Sequence, residues 1–135
     1  MFSMKLSPRF SETDALGHIN NTVIPVWFES AREPVFQIFN PDQNLQNWNL
    51  IIAKIEVNYL AQIGYHNEIE VKTHISKIGG ASFNVLQEVY QDDKRVAWGE
   101  CVMVKFDYQN NASSKISDQE KGILSDHLVD KAQLI

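Results

Sequence analysis

Residues 22–39 read Thr22-Val23-Ile24-Pro25-Val26-Trp27-Phe28-Glu29-Ser30-Ala31-Arg32-Glu33-Pro34-Val35-Phe36-Gln37-Ile38-Phe39, and this stretch decides the fold. Val23, Trp27, Ala31, Val35 and Ile38 recur at helical spacing, and Ile24, Phe28, Phe36 and Phe39 add a second apolar face. A helix apolar around so much of its circumference has to be enclosed by the rest of the chain. Glu29, Arg32 and Glu33 form its polar stripe. Asn21 and Thr22 are both good N-caps, so the helix is expected to begin there. Pro25 then falls in the first turn, where a missing N–H costs nothing. Pro34 removes an interior donor, so a kink or break is expected there, with an end at Asn40-Pro41 at the latest.

Outward from the helix the period changes. Ile51, Ala53, Ile55, Val57 and Tyr59 alternate with more mixed residues. So do Ile69, Val71, Thr73 and Ile75, then Phe83, Val85, Gln87 and Val89, then Val96, Trp98, Glu100, Val102, Val104 and Phe106. Period two over such lengths reads as strands. Gly64 with Asn67, Gly79-Gly80 and Asp92-Asp93-Lys94 supply the turns. The last two turns are short, so the last three of these strands should form an antiparallel meander. A short first strand is expected over residues 5–11, at an edge or a bulge because Pro8 cannot donate to a ladder. Residues 117–128 read as a short amphipathic helix with Ser117 as N-cap and Glu120 completing a capping box. One long apolar helix with an antiparallel sheet of about five strands is an α+β arrangement.

The chain has 135 residues, which fits a single domain spanning 1–135. It carries 17 acidic and 12 basic residues, a net charge of −5, which argues against a nucleic-acid partner. Hydrophobic residues make up 44%, yet no run approaches the roughly 20 apolar residues of a membrane span. The start lacks the pattern of a secretory signal, so the cytoplasm is the expected compartment. Cys101 is the only cysteine, which excludes an internal disulfide and a multi-cysteine zinc site. It reads as a buried strand residue. So small a domain has little room for a core and a deep pocket, so a site shared between chains is expected.

The chemistry concentrates just before the helix, in Arg9-Phe10-Ser11-Glu12-Thr13-Asp14-Ala15-Leu16-Gly17-His18-Ile19-Asn20-Asn21. This loop brings two carboxylates, a histidine and two carboxamides to a helix N-terminus. The free N–H groups and positive potential there can hold a carbonyl oxygen that gains charge. A carboxylate opposite could attack the carbonyl carbon or deprotonate a water. The plainer reading is a helix cap with solvated acids and a histidine satisfying local backbone. A metal held by Glu12, Asp14 and His18 is not expected, because no second histidine is near and hard cations prefer more oxygens. No nucleophile-elbow serine or phosphate-cradling glycine loop is present, and no cofactor is implied. His66, His74 and His127 read as structural or surface, and Trp27, Trp48 and Trp98 as core or interface anchors.

The pattern Arg9-Phe10-x-Glu12-Thr13-Asp14-x-x-Gly17-His18-Ile19-Asn20-Asn21, followed by Trp27-Phe28-Glu29-x-Ala31-Arg32, resembles the start of the hotdog-fold acyl-CoA thioesterases of the 4-hydroxybenzoyl-CoA thioesterase-like family. Val57-Asn58-Tyr59-Leu60, Gly64 to Val71, Gly79-Gly80-Ala81-Ser82-Phe83 and Ala97-x-Gly99 with Val102, Val104 and Phe106 continue the resemblance in order, from about residue 5 to 125.

The resemblance implies a hotdog fold and hydrolysis of acyl thioesters on coenzyme A or acyl carrier protein. It puts Asp14 at the position of the general base or nucleophile, with Glu12 as an acidic neighbour outside the chemistry. The backbone N–H near Asn21 would polarise the carbonyl, and His18 and Asn20 would shape the pocket or orient water and substrate. Gly17, Tyr59 and Ser82 fall on the substrate side, Ser82 along the pantetheine path. A homodimer or homotetramer is implied. The family's basic residues for the coenzyme A phosphates are sparse here, with Lys77 alone in its segment and Lys105 and Lys115 scattered. A non-catalytic acyl-binding or dehydratase-like hotdog protein is the alternative, with His18 as the dehydratase candidate.

Overall fold

The computed structural model describes residues 1–135. Strand β1 (Phe2–Leu6) is followed by a 3-10 turn at Phe10–Glu12 and helices α1 (Val23–Ala31) and α2 (Glu33–Phe39). Strands β2 (Leu50–Tyr59), β3 (Ile69–Ile78), β4 (Ser82–Gln91) and β5 (Lys94–Asp107) come next. A two-residue strand β6 (Ala112–Ser113) and helices α3 (Asp118–Ser125) and α4 (Lys131–Leu134) end the chain. The sheet is antiparallel, in the order β1-β3-β4-β5-β2, with β6 folded back on β5. The meander β3-β4-β5 is as the turn signals require, and α1 is enclosed against the sheet in the hotdog arrangement expected from the sequence.

Two expectations need correction. The first strand spans 2–6, not 5–11, and Pro8 lies beyond it. Phe2 to Leu6 pair with Thr73 to Ile69, whereas Phe10 to Glu12 turn back in a 3-10 helix. The enclosed helix is two segments meeting at Arg32. Pro34 sits in the first turn of α2, where its missing donor is harmless, so the break precedes it. Arg32 leaves the polar stripe at this joint and is 2% exposed.

The helix packs closely because Gly99 carries no side chain. A Cβ there would stand 2.6 Å from the Glu56 carbonyl oxygen and 2.7 Å from the Phe28 ring. Phe28, Trp27 and Ile24 pack with Val71, Val89 and Ala97 in one core cluster. Val35 and Phe39 pack with Val85, Cys101, Met103 and Leu124 in a second. Burial pushes the Cys101 thiol up, which suits an inert core residue.

The other face of the sheet is covered by the C-terminal segment. His127 and Val129 exchange backbone bonds with Ile75 at 2.9 and 2.8 Å, and Arg95 donates to the Leu134 carbonyl at 2.8 Å. Beneath it Glu88, 2% exposed, accepts from Arg95 and Tyr90 and is bonded to His74. In contrast, β2 is a bare edge. Ile51, Ile55 and Tyr59 are 38%, 43% and 51% exposed, and the strand pairs with β5 alone.

Candidate active site

A cavity of about 570 Å³ opens where the loop before α1 meets the end of β2. Asp14, Asn20 and Asn21 form one wall, and Tyr59, Leu60 and Gln62 the other. The loop is held in place by its own residues. Asp14 Oδ1 accepts the backbone N–H groups of Leu16 at 2.8 Å and His18 at 3.1 Å. Gly17 makes the return possible with φ +82°, a conformation that favours glycine. Asp14 Oδ2 accepts no hydrogen bond and remains open.

Thr22 is the N-cap position, as expected, but the side chain that holds the helix start is that of Asn20. Its side-chain oxygen accepts from the Thr22 N–H at 3.0 Å and the Thr22 hydroxyl at 2.9 Å, and its carbonyl accepts from the Val23 N–H at 3.0 Å. The Asn21 N–H, at the positive end of α1, makes no hydrogen bond within the chain. The Asn21 carbonyl accepts from the Tyr59 hydroxyl at 2.6 Å. Burial pushes the Tyr59 phenol up, so it stays protonated as a donor across the neutral range.

Of the residues expected at the site, Asp14, Asn20, Asn21 and Tyr59 share this cavity. Gly17 and His18 shape the loop without lining it. His18 bridges to Gly64, and its Nδ1 is buried without a partner. Ser82 begins β4, whereas Gln91 at the other end of that strand bonds Gly64 beside the loop. Nine residues of strand put Ser82 roughly 30 Å from that end. Lys105 is paired with Glu120 at 2.7 Å, while Lys77 and Lys115 are exposed.

Glu12 is not a solvated loop acid. It is 8% exposed, accepts from the Trp27 indole at 3.0 Å and from the Arg9 N–H at 2.7 Å, and ties the loop to α1. The wall at Ala61 to Ile63 carries no signal in the sequence. It is fixed by long-range backbone bonds, Leu60 and Ala61 to the Val96 carbonyl and Ile19 to the Ile63 carbonyl. No group of three or more His, Cys, Asp or Glu side chains is placed to hold a metal ion. No helix is long and apolar enough to cross a membrane.

The sequence model of the thioesterase-like superfamily matches residues 8–125. A protein of Bacillus stearothermophilus described as a predicted thioesterase is 36% identical and superposes with a TM-score of 0.93, covering 96% of this chain and 97% of that one. A thioesterase of Thermus thermophilus solved with coenzyme A and zinc is 25% identical, with a TM-score of 0.82 over 91% of this chain and 96% of that one. The uncharacterized protein YsmA of Bacillus subtilis is 29% identical over 125 residues, 91% of this chain and 84% of its own length. The chain belongs to the thioesterase-like superfamily.

Proposed function

We propose that the protein hydrolyses acyl thioesters of coenzyme A, or of an acyl carrier protein, at the cavity between Asp14 and Asn21. The superfamily and its solved relatives support thioester hydrolysis in general. The observation that carries the finer reading is the pairing, in one cavity, of an open carboxylate oxygen on Asp14 with an unpartnered N–H on Asn21. The N–H and the α1 dipole hold the thioester oxygen as it gains charge. Asp14 Oδ2 takes a proton from water as the water oxygen adds to the carbonyl carbon, or adds to that carbon itself to give a mixed anhydride that water hydrolyses once the thiolate has left. The C–S bond then breaks. A thiol is acidic enough to leave as thiolate without a strong acid, which suits so sparse a site.

A second copy of the chain is part of this reading. The bare edge of β2 presents unpaired backbone groups and exposed isoleucines beside the cavity, a combination suited to pairing with another β2. A cytoplasmic setting fits acyl-CoA chemistry. The dehydratase-like alternative lacks a histidine in the cavity wall, since His18 does not line it.

Free-thiol release from a panel of acyl-CoA thioesters tests the proposal, with Asp14→Asn beside the wild type. The asparagine keeps an Oδ1 acceptor for the Leu16 and His18 N–H groups, so the fold is expected to survive. Turnover is expected to fall roughly 10²- to 10⁴-fold. Wild-type-like turnover in the variant overturns the mechanism.

A further inference from the structure

A second cavity, of about 650 Å³, lies at the far end of α1. Its wall includes Arg32, Phe36, Trp48, Leu50, Met103 and Tyr108. Both cavities lie along one seam. The first joins the start of α1 to the end of β2, and the second joins the end of α1 to the start of β2.

Arg32 is the unusual member. It is 2% exposed, yet it takes part in none of the five ion pairs of the structure. The single hydrogen bond of its guanidinium is a long one, 3.3 Å, from Nη1 to the neutral Gln87 Oε1, and its Nε is buried without a partner. Gln87 is itself committed, donating to the Phe28 carbonyl at 2.9 Å and the Thr73 hydroxyl at 3.1 Å. Glu29 and Glu33 also line the cavity, but both are exposed and neither pairs with Arg32. A guanidinium removed from water without an anion is costly, and its planar fork matches a carboxylate.

We propose that this cavity holds the far end of the acyl group, and that the acyl group ends in a carboxylate bound by Arg32. The inference rests on the thioesterase reading above and names its substrate class: thioesters of dicarboxylic acids. The seam sets the length, with the chain passing outside Phe28, which fills the space between helix and sheet at the middle of the seam. Nine residues of α1 rise about 14 Å. An extended chain advances roughly 1.2 Å per bond, a third of an extended residue, and the hydrogen bond from guanidinium to carboxylate spans about 3 Å of the distance, so about ten carbons join the two ends. Phe36, Trp48 and Leu50 supply an apolar lining for the last methylenes.

The test compares the mono-coenzyme A thioester of decanedioic acid with decanoyl-CoA, on the wild type and on Arg32→Met and Arg32→Lys. The wild type is expected to favour the dicarboxylic substrate in kcat/KM by roughly ten- to hundred-fold, the range of a hydrogen bond to a charged group. Arg32→Met is expected to bring the ratio to about one, and Arg32→Lys to restore part of it. A purely structural arginine would lower both substrates together and leave the ratio unchanged, which overturns the proposal. Calorimetric binding of decanedioate to the wild type and to Arg32→Met gives an independent arm, and equal affinities also overturn it. If neither thioester is hydrolysed, the thioesterase reading fails, and the calorimetric arm still decides whether Arg32 binds a carboxylate.

Discussion

The Tyr59 hydroxyl, at the end of β2, donates to the Asn21 carbonyl at 2.6 Å across 38 residues of sequence. That bond ties the free edge strand to the helix start and orients the backbone from which the Asn21 N–H is offered. In the proposed mechanism Tyr59 is therefore a positioning residue.

Tyr59→Phe removes this bond without changing the ring. Stability is expected to fall by about 1 kcal/mol, the usual net value of one hydrogen bond. Thioester turnover is expected to fall several-fold in kcat with KM little changed, because the loss is in orientation of the oxyanion donor. Steady-state kinetics with one acyl-CoA and a thermal melt check both. A change confined to KM would instead make Tyr59 a substrate contact only.

Asn20→Ala removes the acceptor for both the N–H and the hydroxyl of Thr22. Loss of a capping side chain costs about 1 kcal/mol, which for a domain of this size lowers Tm by roughly 4 °C. Calorimetric melting measures this directly. Asn20→Asp, which keeps the acceptor, is expected to retain the wild-type Tm within about 1 °C.

Ile55→Lys places a charge on the bare face of β2, where the isoleucine is 43% exposed. In a monomer this exposed change is nearly neutral, within about 0.5 kcal/mol. If two β2 edges pair, a lysine there opposes the pairing. Light scattering at micromolar concentration is expected to show a dimer or larger assembly for the wild type and a shift towards monomer for the variant. A monomeric wild type would remove the shared site.

Acid is expected to weaken the fold through Glu88. Burial pushes its carboxyl up, but bonds from His74, Arg95 and Tyr90 outweigh this and hold it below the ordinary value of 4.5. A folded-state value below the unfolded one means the ionised group stabilises the fold. That contribution is complete above 4.5 and is lost as pH falls through the folded value. Glu88→Gln leaves Arg95 and His74 without their anion and is expected to cost about 2 kcal/mol at pH 7, a figure reduced because Arg95 reaches solvent. Denaturant titrations from pH 7 to pH 3 should show the two proteins converging at the acid end.

Local features were readable before any coordinates. The capping box of Ser117 and Glu120 forms as the four-residue pattern requires, because both partners lie within one helical turn. The period-two runs become β2 to β5 because a strand shows alternate residues to one face. Asp14, Asn20 and Asn21 meet in one cavity because the loop turns back at Gly17 and is closed by the Asp14 N–H on the His18 carbonyl at 2.7 Å and the Asn20 N–H on the Glu12 carbonyl at 2.8 Å. The first strand lies at 2–6 rather than the expected 5–11 because its partner, β3, is more than sixty residues away and nothing local distinguishes the two ranges.

The sequence by itself therefore determined the enclosed helix, the strands and the polar loop before the helix, all of which follow from periodicity and short-range bonding. Only the tertiary structure decided that β2 is the bare edge, that Tyr59 reaches Asn21, and that Ser82 stands at the far end of β4. It also decided which charges are withdrawn from water. Glu12, Glu88 and Arg32 look alike as letters in a polar stretch, but Glu12 meets Trp27, Glu88 meets Arg95 and His74, and Arg32 meets no anion at all. Burial and pairing depend on segments distant in the chain, and a single charged residue carries no local mark of either.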